Sequence, residues 1–354
     1  MRSFIATIGP HKRLVAATGF ITLDLVITNN DEQSLRTWAG GTCGNILTIL
    51  SYLGWHAYPI ARLHRDAAFA RIEHDLTRWG VQLDYINMQP DTPTPMLVHN
   101  IRHHVSGVFS HSYSHKCPGC SRRLPDYRPL PIAIAERVAL KLDQPAVFFM
   151  DRVSPGALFL ADACRREGAI VVFEPNGVGD PRLFREALSL AHVVKYAHAR
   201  LCALDFPQMQ SGPLLTIETL GLQGLRYHSS LPTCPTDGWE YVQSYKASSV
   251  RDTAGAGDWC TAGIINAIGG EGIKGLLQAT HLQLSKAFRM GQAMASWNCR
   301  FEGARGGMYV VDSDTFRAEV RRIVDGADTP VSAEAAANTG YGLALADLCS
   351  ACAS

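Results

Sequence analysis

The sequence predicts an α/β fold, a mostly parallel sheet with helices packed on both of its faces. Short apolar runs alternate with amphipathic runs of about 10–15 residues along most of the chain, the pattern of successive βαβ units. Glycines end many of these runs, Gly19, Gly54 and Gly80 among them, as turns and helix C-termini require. The 354 residues are 47% hydrophobic and 18% charged, a composition that supports one large domain or two medium ones.

The first run, LVAATGFITLDLVIT (14–28), reads as a strand broken by Gly19. GGTCGNILTILSYLGW (40–55) turns on Gly40 and Gly41, then places Ile46, Ile49, Leu50 and Leu53 at helical spacing and stops at Gly54. AYPIARL is a short strand. DAAFARIEHDLTRWG (66–80) is a helix with Phe69, Ile72, Leu76 and Trp79 on one face. VQLDYI (81–86) and PMLVHNI (95–101) read as strands. Residues 106–131 have no period and are rich in His, Cys, Pro and Arg, so they read as an insertion. Alternation then resumes: IAIAERVALKL helix, AVFFMD strand, PGALFLADACRREG helix, AIVVFEPN strand, PRLFREALSLA helix. HVVKY, LLTIETLG and LRYH are strands, and helices are expected over 255–268 and about 276–297. There is no internal repeat. The small-residue-rich segment 326–354 reads as a loosely held tail.

Lys plus Arg number 33 against 32 Asp plus Glu, a net charge of +1. That argues against nucleic acid or an anionic membrane as a bulk partner. No apolar stretch reaches about 18 residues, so no membrane span is expected. The opening MRSFIATIGPHKRL has no apolar core followed by a small-residue cleavage site, and the expected location is the cytoplasm. Of ten cysteines, Cys43, Cys164, Cys202, Cys234, Cys260 and Cys299 are scattered singly and read as small buried hydrophobes. The other four form two CxxC pairs, Cys117/Cys120 and Cys349/Cys352. Such a pattern points to reduced thiols and a metal rather than a disulfide framework.

The chemistry-bearing stretch is DTAGAGDWC (252–260), followed by the apolar run TAGIINAI. A helix N-terminus presents unpaired N–H groups and partial positive charge, and Gly and Ala leave them open to an anion. A phosphate on the N–H groups of Ala256, Gly257 and Asp258 would place the Asp258 carboxylate beside a transferring phosphoryl group, able to take the proton of an attacking hydroxyl. The bland alternative is an Asp that caps a helix after a glycine turn. GEGIKG (270–275) fits a dinucleotide fingerprint but follows a helix, and no P-loop pattern exists.

Four motifs resemble those of the ribokinase-like, or PfkB-type, carbohydrate kinases. DTxGAGD is met by Asp252 to Asp258; GG-x3-N, an apolar helix and LG by Gly40, Gly41, Asn45, Leu53 and Gly54; TLGxxG by Thr219, Leu220, Gly221 and Gly224; and a glycine-alanine turn by CRFEGARGG (299–307). Their order and spacing agree over about residues 14–325. The resemblance implies a Rossmann-type three-layer sandwich with a small β-lid, a kinase domain over 1–325, and lid pieces from parts of 20–40 and 95–130. It implies ATP-dependent phosphorylation of a sugar, sugar derivative or nucleoside, with Mg²⁺ on the nucleotide. Asp258 would be the base and Gly255, Ala256 and Gly257 the anion hole. Asp24, Gly40, Gly41 and Asn45 would bind the acceptor, a carboxylate and an amide suiting vicinal hydroxyls. Thr219, Gly221, Gly224, Asp252 and Thr253 would border the nucleotide, with Asp252 beside a monovalent cation. A lid of this kind often forms a homodimer.

This chain departs from the family pattern at three places. The N-x-x-E motif after HVVKY is Ala197, His198, Ala199 and Arg200; the G-x-D near the second helix is His64, Arg65 and Asp66; and Trp259 follows the base. The altered metal motif leaves a second reading, a sugar- or nucleotide-binding regulatory protein on the same fold.

In the insertion, SHSYSHKCPGC brings His111, His115, Cys117 and Cys120 within ten residues. Two thiolates and one or two imidazoles suit a structural zinc. The alternatives are a redox or reduced thiol pair, and a version of the site in which Cys349 and Cys352 join Cys117 and Cys120. His99, His103 and His104, on or beside the lid strand, either touch substrate or alternate in exposure.

Overall fold

The structure, a computed structural model, describes residues 13–29, 31–103, 109–201, 212–247, 249–327, 345–349 and 351–352. The N-terminal part runs β1 (Leu14–Thr18), β2 (Thr22–Thr28), β3 (Asp31–Gly40), α1 (Thr42–Tyr52), β4 (His56–Pro59), β5 (Ala61–Leu63), α2 (Ala67–Arg78), β6 (Ile86–Met88), β7 (Met96–His103) and β8 (Phe109–Ser114). The middle runs α3 (Ile132–Ala139), β9 (Val147–Met150), α4 (Pro155–Arg166), β10 (Ile170–Phe173), α5 (Pro181–Leu190), β11 (Val193–Ala197) and α6 (His198–Leu201). Then follow β12 (Leu215–Thr219), β13 (Leu225–Ser229), β14 (Glu240–Val242), α7 (Ala256–Ile268), α8 (Gly272–Leu277), α9 (His281–Asn298), α10 (Gly306–Val310), α11 (Ser313–Val324) and α12 (Leu345–Leu348).

Eight strands form the main sheet in the order β14-β13-β12-β11-β10-β9-β1-β4. Its pairs are parallel from β4 through β12, and the last two are antiparallel. Side chains alternate between two cores, as strand geometry demands. Val15, Ala17, Val147 and Phe149 enter the core closed by α1, α7, α9 and α11. Ala16, Phe148, Met150 and Phe173 enter the core closed by α3, α4 and α5. The result is the expected three-layer arrangement. Among the described residues, no helix is long and apolar enough to cross a membrane.

A second sheet, in the order β3-β2-β7-β8, forms the lid. The strand expected over 14–28 is therefore two strands in two sheets. Gly19 sits at the break with φ 152°, and a Cβ there would lie 1.6 Å from Asp151 Oδ1, which accepts a hydrogen bond from the Phe20 N–H at 2.8 Å. The aperiodic insertion begins as a lid strand, β8, paired antiparallel with β7. The strand expected over 81–86 begins only at Ile86, because Val81 and Leu83 reach the core from a turn. The helix expected over about 276–297 divides into α8 and α9 where Thr280 and Gln283 form a capping box.

Within the segment read as a tail, Gly326 and Ala327 are exposed, but part of it docks. Leu345, Leu348 and Cys349 pack against the main core, and α12 touches α2. Cys202 and His104 lie outside the described residues.

Two glycines set the closest helix pair. A Cβ on Gly263 of α7 would meet Gly291 Cα at 2.8 Å, and one on Gly291 of α9 would meet the Cys260 carbonyl oxygen at 2.7 Å. Gly291→Val should therefore destabilise the protein by about 1–3 kcal/mol through overpacking. A urea titration should show a lower midpoint at unchanged slope.

Candidate active site

The lid closes over the C-terminal ends of the main-sheet strands, where open α/β sheets place their ligands. Between them is a cleft of about 590 Å³. Period-two alternation turns one lid face into it: Asp24 and Val26 from β2, Trp38 from β3, His99 from β7, and His111 and Tyr113 from β8. From the sheet side come Glu174 just past β10, Lys195 in β11 and Thr219 at the end of β12.

Asp258 lies in the first turn of α7, buried, and accepts a hydrogen bond from Asn45 Nδ2 at 2.7 Å. Burial raises its pKa to about 7, and the Glu174 charge adds to the rise; the Asn45 amide and Lys195 oppose it. Gly255, at φ 73°, turns the chain into the helix, and a Cβ there would lie 2.2 Å from the Ala304 carbonyl oxygen. The first helical turn leaves N–H groups without intrahelical partners. That of Ala256 reaches the Thr253 carbonyl at 3.2 Å, so Gly257 and Asp258 offer the freer donors toward the cleft.

Beside this helix start, Lys195 Nζ donates to Glu174 Oε1 at 2.8 Å and Thr261 Oγ1 donates to Glu174 Oε2 at 2.6 Å. Burial alone would lower the Lys195 pKa, but the Glu174 carboxylate more than offsets it and the lysine stays charged. Gly257 borders the pair, its missing Cβ 3.8 Å from Lys195 Nζ.

Asp24 stands across the cleft. Burial, aided by the Asp258 charge and opposed by Arg305, raises its pKa to about 8. Its Oδ1 is buried without a hydrogen-bond partner. Gly40 makes room for it, since a Cβ there would lie 2.0 Å from Asp24 Oδ2. Gly41, at φ 82°, lets the chain pass the Phe20 carbonyl into α1. Arg305, also buried, donates to the Ala39 carbonyl and to Asp75 Oδ2, each at 2.5 Å, while its Nη1 has no partner.

Lid and helix start touch through a histidine pair. His99 Nε2 and His111 Nδ1 are 2.8 Å apart, and Tyr113 stacks on His99. His111 Nε2 lies 3.3 Å from Thr253 Oγ1 and 3.7 Å from Asp252 Oδ1. Burial pushes His99 down to about 4, so this imidazole is neutral.

Structure comparison finds similarity to solved kinases over nearly their whole length. A fructokinase with bound ATP from Xylella fastidiosa superposes with a TM-score of 0.67 at 16% identity, covering 89% of this chain and 99% of that one. A Burkholderia thailandensis nucleoside kinase in complex with inosine gives 0.64 at 17%, with coverage of 89% and 99%. Arabidopsis thaliana ribokinase complexed with ribose and ATP gives 0.63 at 19%, again 89% and 99%. The chain has the ribokinase-like fold. No protein-family model and no curated protein sequence matches it.

On this fold, Asp258, Gly255, Gly257, Asp24, Gly41, Asn45, Thr219, Asp252 and Thr253 all line one cleft. Gly221 and Gly224 do not. They form the β12–β13 turn, where a Cβ on Gly224 would meet the Val242 carbonyl oxygen at 2.1 Å. Asp252 is a fastener: Oδ1 accepts from the Ala254 N–H at 2.8 Å and Oδ2 from the Gly303 N–H at 2.9 Å. Ala197 and Arg200, where the metal motif is altered, also line the cleft.

The expected zinc set of two cysteines and two histidines is not brought together. His111 and His115 face the cleft, His115 Nε2 lying 3.9 Å from Asp126 Oδ1. Cys117 and Cys120, beyond the strand, instead meet Cys349 and Cys352.

Glu174, Asn176, Lys195 and Arg305 also line the cleft, and motif reading did not single them out as candidates. A charged residue inside or just beyond an apolar parallel strand, as in VVFEPN and VVKY, was the available signal.

Asp258 and Asp24 both have folded pKa values above those of a free carboxylate. Their contribution to stability is therefore full near pH 4 and is lost as pH rises through about 7 and 8. Asp258→Asn should raise the melting temperature at about pH 8.5, and the gain should shrink steadily as pH falls toward about 4, where the variant should be nearly unchanged, measured by calorimetry across pH.

Proposed function

We propose that this protein is an ATP-dependent phosphotransferase acting on a hydroxyl of a sugar, sugar derivative or nucleoside. The observation that carries this reading is the pairing of Asp258 with the bare N-terminus of α7 in the cleft. One residue there is a buried carboxylate poised near neutrality, and its neighbours are exposed backbone donors with no Cβ in the way.

The acceptor hydroxyl sits against Asp258, which takes its proton as the new O–P bond to the γ-phosphorus forms and the bond from that phosphorus to the β-phosphate oxygen breaks, releasing ADP. A base that titrates near 7 suits that task, since it is ionised at working pH yet basic enough to accept. The N–H groups of Gly257 and Asp258, with the helix dipole behind them, receive the negative charge of the transferring group. Asp24, with an oxygen lacking any partner, accepts hydrogen bonds from neighbouring acceptor hydroxyls, and the lid excludes water above them.

Nucleotide-bound Mg²⁺ supplies further charge neutralisation to such a transfer. Glu174 and Asn176, which line the cleft, are the residues that would hold it. Each Glu174 oxygen already accepts one hydrogen bond and keeps a further lone pair. Lys195 balances that carboxylate, and Thr219 and Thr253 border the nucleotide side.

The test is ADP release from ATP and Mg²⁺ against a panel of pentoses, hexoses and nucleosides. Turnover on one acceptor class should fall by about 10²–10⁴ in Asp258→Asn, with ATP binding retained. No turnover on any acceptor by a folded, ATP-binding protein would sink the kinase reading in favour of a regulatory binding protein. Asn45→Ala removes the amide donor that holds the Asp258 pKa down. The acid limb of its kcat/KM profile should therefore move to higher pH, whereas an unmoved limb would mean that Asp258 is not the titrating base.

A further inference from the structure

The geometry points to a structural zinc site, formed by Cys117, Cys120, Cys349 and Cys352, that fastens the C-terminal segment to the exit of the lid. The inference is independent of the phosphotransfer reading.

The four sulfurs come from two CxxC turns far apart in the chain. Cys117 Sγ lies 3.5 Å from Cys352 Sγ, and Cys120 Sγ lies 3.6 Å from Cys349 Sγ. All four lie within 4.8 Å of one another. Sulfurs bound to one zinc at about 2.3 Å in a tetrahedron stand about 3.8 Å apart, so the cluster has the dimensions of that polyhedron. Two disulfides would require only close pairs. Here every sulfur is near every other, as ligands of one ion must be, and all four thiols are free.

Each turn is built to aim its sulfurs. In the first, the Cys117 N–H donates to the Arg122 carbonyl at 2.8 Å and the Ser121 N–H to the Cys117 carbonyl at 2.9 Å, with Ser121 left-handed at φ 60°. In the second, the Cys349 N–H donates to the Leu345 carbonyl and the Cys352 N–H to the Cys349 carbonyl, both at 2.8 Å. Gly119 lets the two approach, since a Cβ there would lie 3.3 Å from Leu345 Cδ1 and 3.4 Å from Cys352 Sγ. Cys117 and Cys349 are buried, and Cys120 and Cys352 are partly exposed.

Ligand chemistry favours a soft, tetrahedral ion: four thiolates and no carboxylate or imidazole in the cluster. The tetrathiolate carries a net charge of −2 with zinc. Lys116, Arg122 and Arg123, all exposed on the same knuckle, offset it. No coordination position is left for a substrate, so the site is structural. What it holds is the wall of the cleft, because the knuckle lies between His115 and Asp126, both of which line it.

The experiment is metal analysis of the full-length chain purified in the presence of zinc sulfate, alongside Cys349→Ser, Cys352→His and Cys299→Ser. The expected result is about one zinc per chain in the parent. Cys299→Ser and Cys352→His, the latter still able to ligate, keep it, and Cys349→Ser loses it. Cobalt(II) in place of zinc should give the thiolate-to-metal absorption and d–d bands of a tetrahedral site. Stripping the parent with a chelator should lower its melting temperature, and zinc should restore it, which keeps the test decisive if Cys349→Ser fails to fold. Three results would each overturn the assignment: a zinc-free chain with four freely titrating thiols, an intact mass reduced by four hydrogens, or iron retained in preference to zinc.

Discussion

The contact between the first turn of α7 and the loop at 303–305 is the constraint on which the rest of the site depends. Gly255 lets the backbone come to the Ala304 carbonyl. The same carbonyl accepts from Trp259 Nε1 at 3.0 Å and Asn298 Nδ2 at 3.1 Å, and Asp252 ties the approach to Gly303. Three hydrogen bonds and one close glycine approach thus orient a helix whose next residues are almost wholly apolar. Trp259, which departs from the small residue usual in the family resemblance, is part of this clamp. Its ring packs on Trp297 and Phe316 while its N–H meets the loop. The clamp fixes where the α7 N–H groups point and where Asp258 stands.

Once that helix start is placed, the electrostatics follow from burial. Two carboxylates, Asp24 and Asp258, are held out of water and repel one another. Burying charge in this way is expensive unless partners compensate. Asn45 compensates one side, and Lys195, tied up by Glu174, adds only a moderated positive field. Arg305, itself paired to Asp75, moderates the other. The balance leaves both carboxylates titrating well above the usual carboxylate range, at about 7 for Asp258 and about 8 for Asp24.

The lid is held at both ends by different chemistry. At the cleft, the His99–His111 pair reaches the Asp252–Thr253 loop. At the exit of β8, the chain passes into the cysteine knuckle and meets a segment more than two hundred residues later in sequence. At one departure from the family pattern, Ala197 and Arg200 line the same cleft as Glu174 and Asn176. Polar groups from a neighbouring strand end thus occupy the region that the altered motif leaves without its acidic residue.

The sequence by itself determined the layered α/β fold, because alternating apolar periods leave few other ways to bury both faces of a parallel sheet. It also determined the glycine-opened start of α7, because glycine at a left-handed turn and a lone acidic residue at a helix mouth are local features visible in DTAGAGD. Gly40 and Gly41 were legible as a motif, but their separate duties were not: one clears space for Asp24 and the other passes Phe20. Tertiary structure alone decided which distant groups share a space. Glu174 and Lys195 stand out as charges in apolar strand runs, but only the pairing of neighbouring strands sets them 2.8 Å apart. His111 and Cys117 lie six positions apart, yet strand alternation turns one into the cleft and the turn beyond carries the other to Cys352. Spacing along a chain reports what one turn of backbone can bring together. The two CxxC pairs offered a four-cysteine site as one alternative, but the docking of the tail and the choice of that set over His111 and His115 depend on closure over most of the chain, which no local pattern encodes.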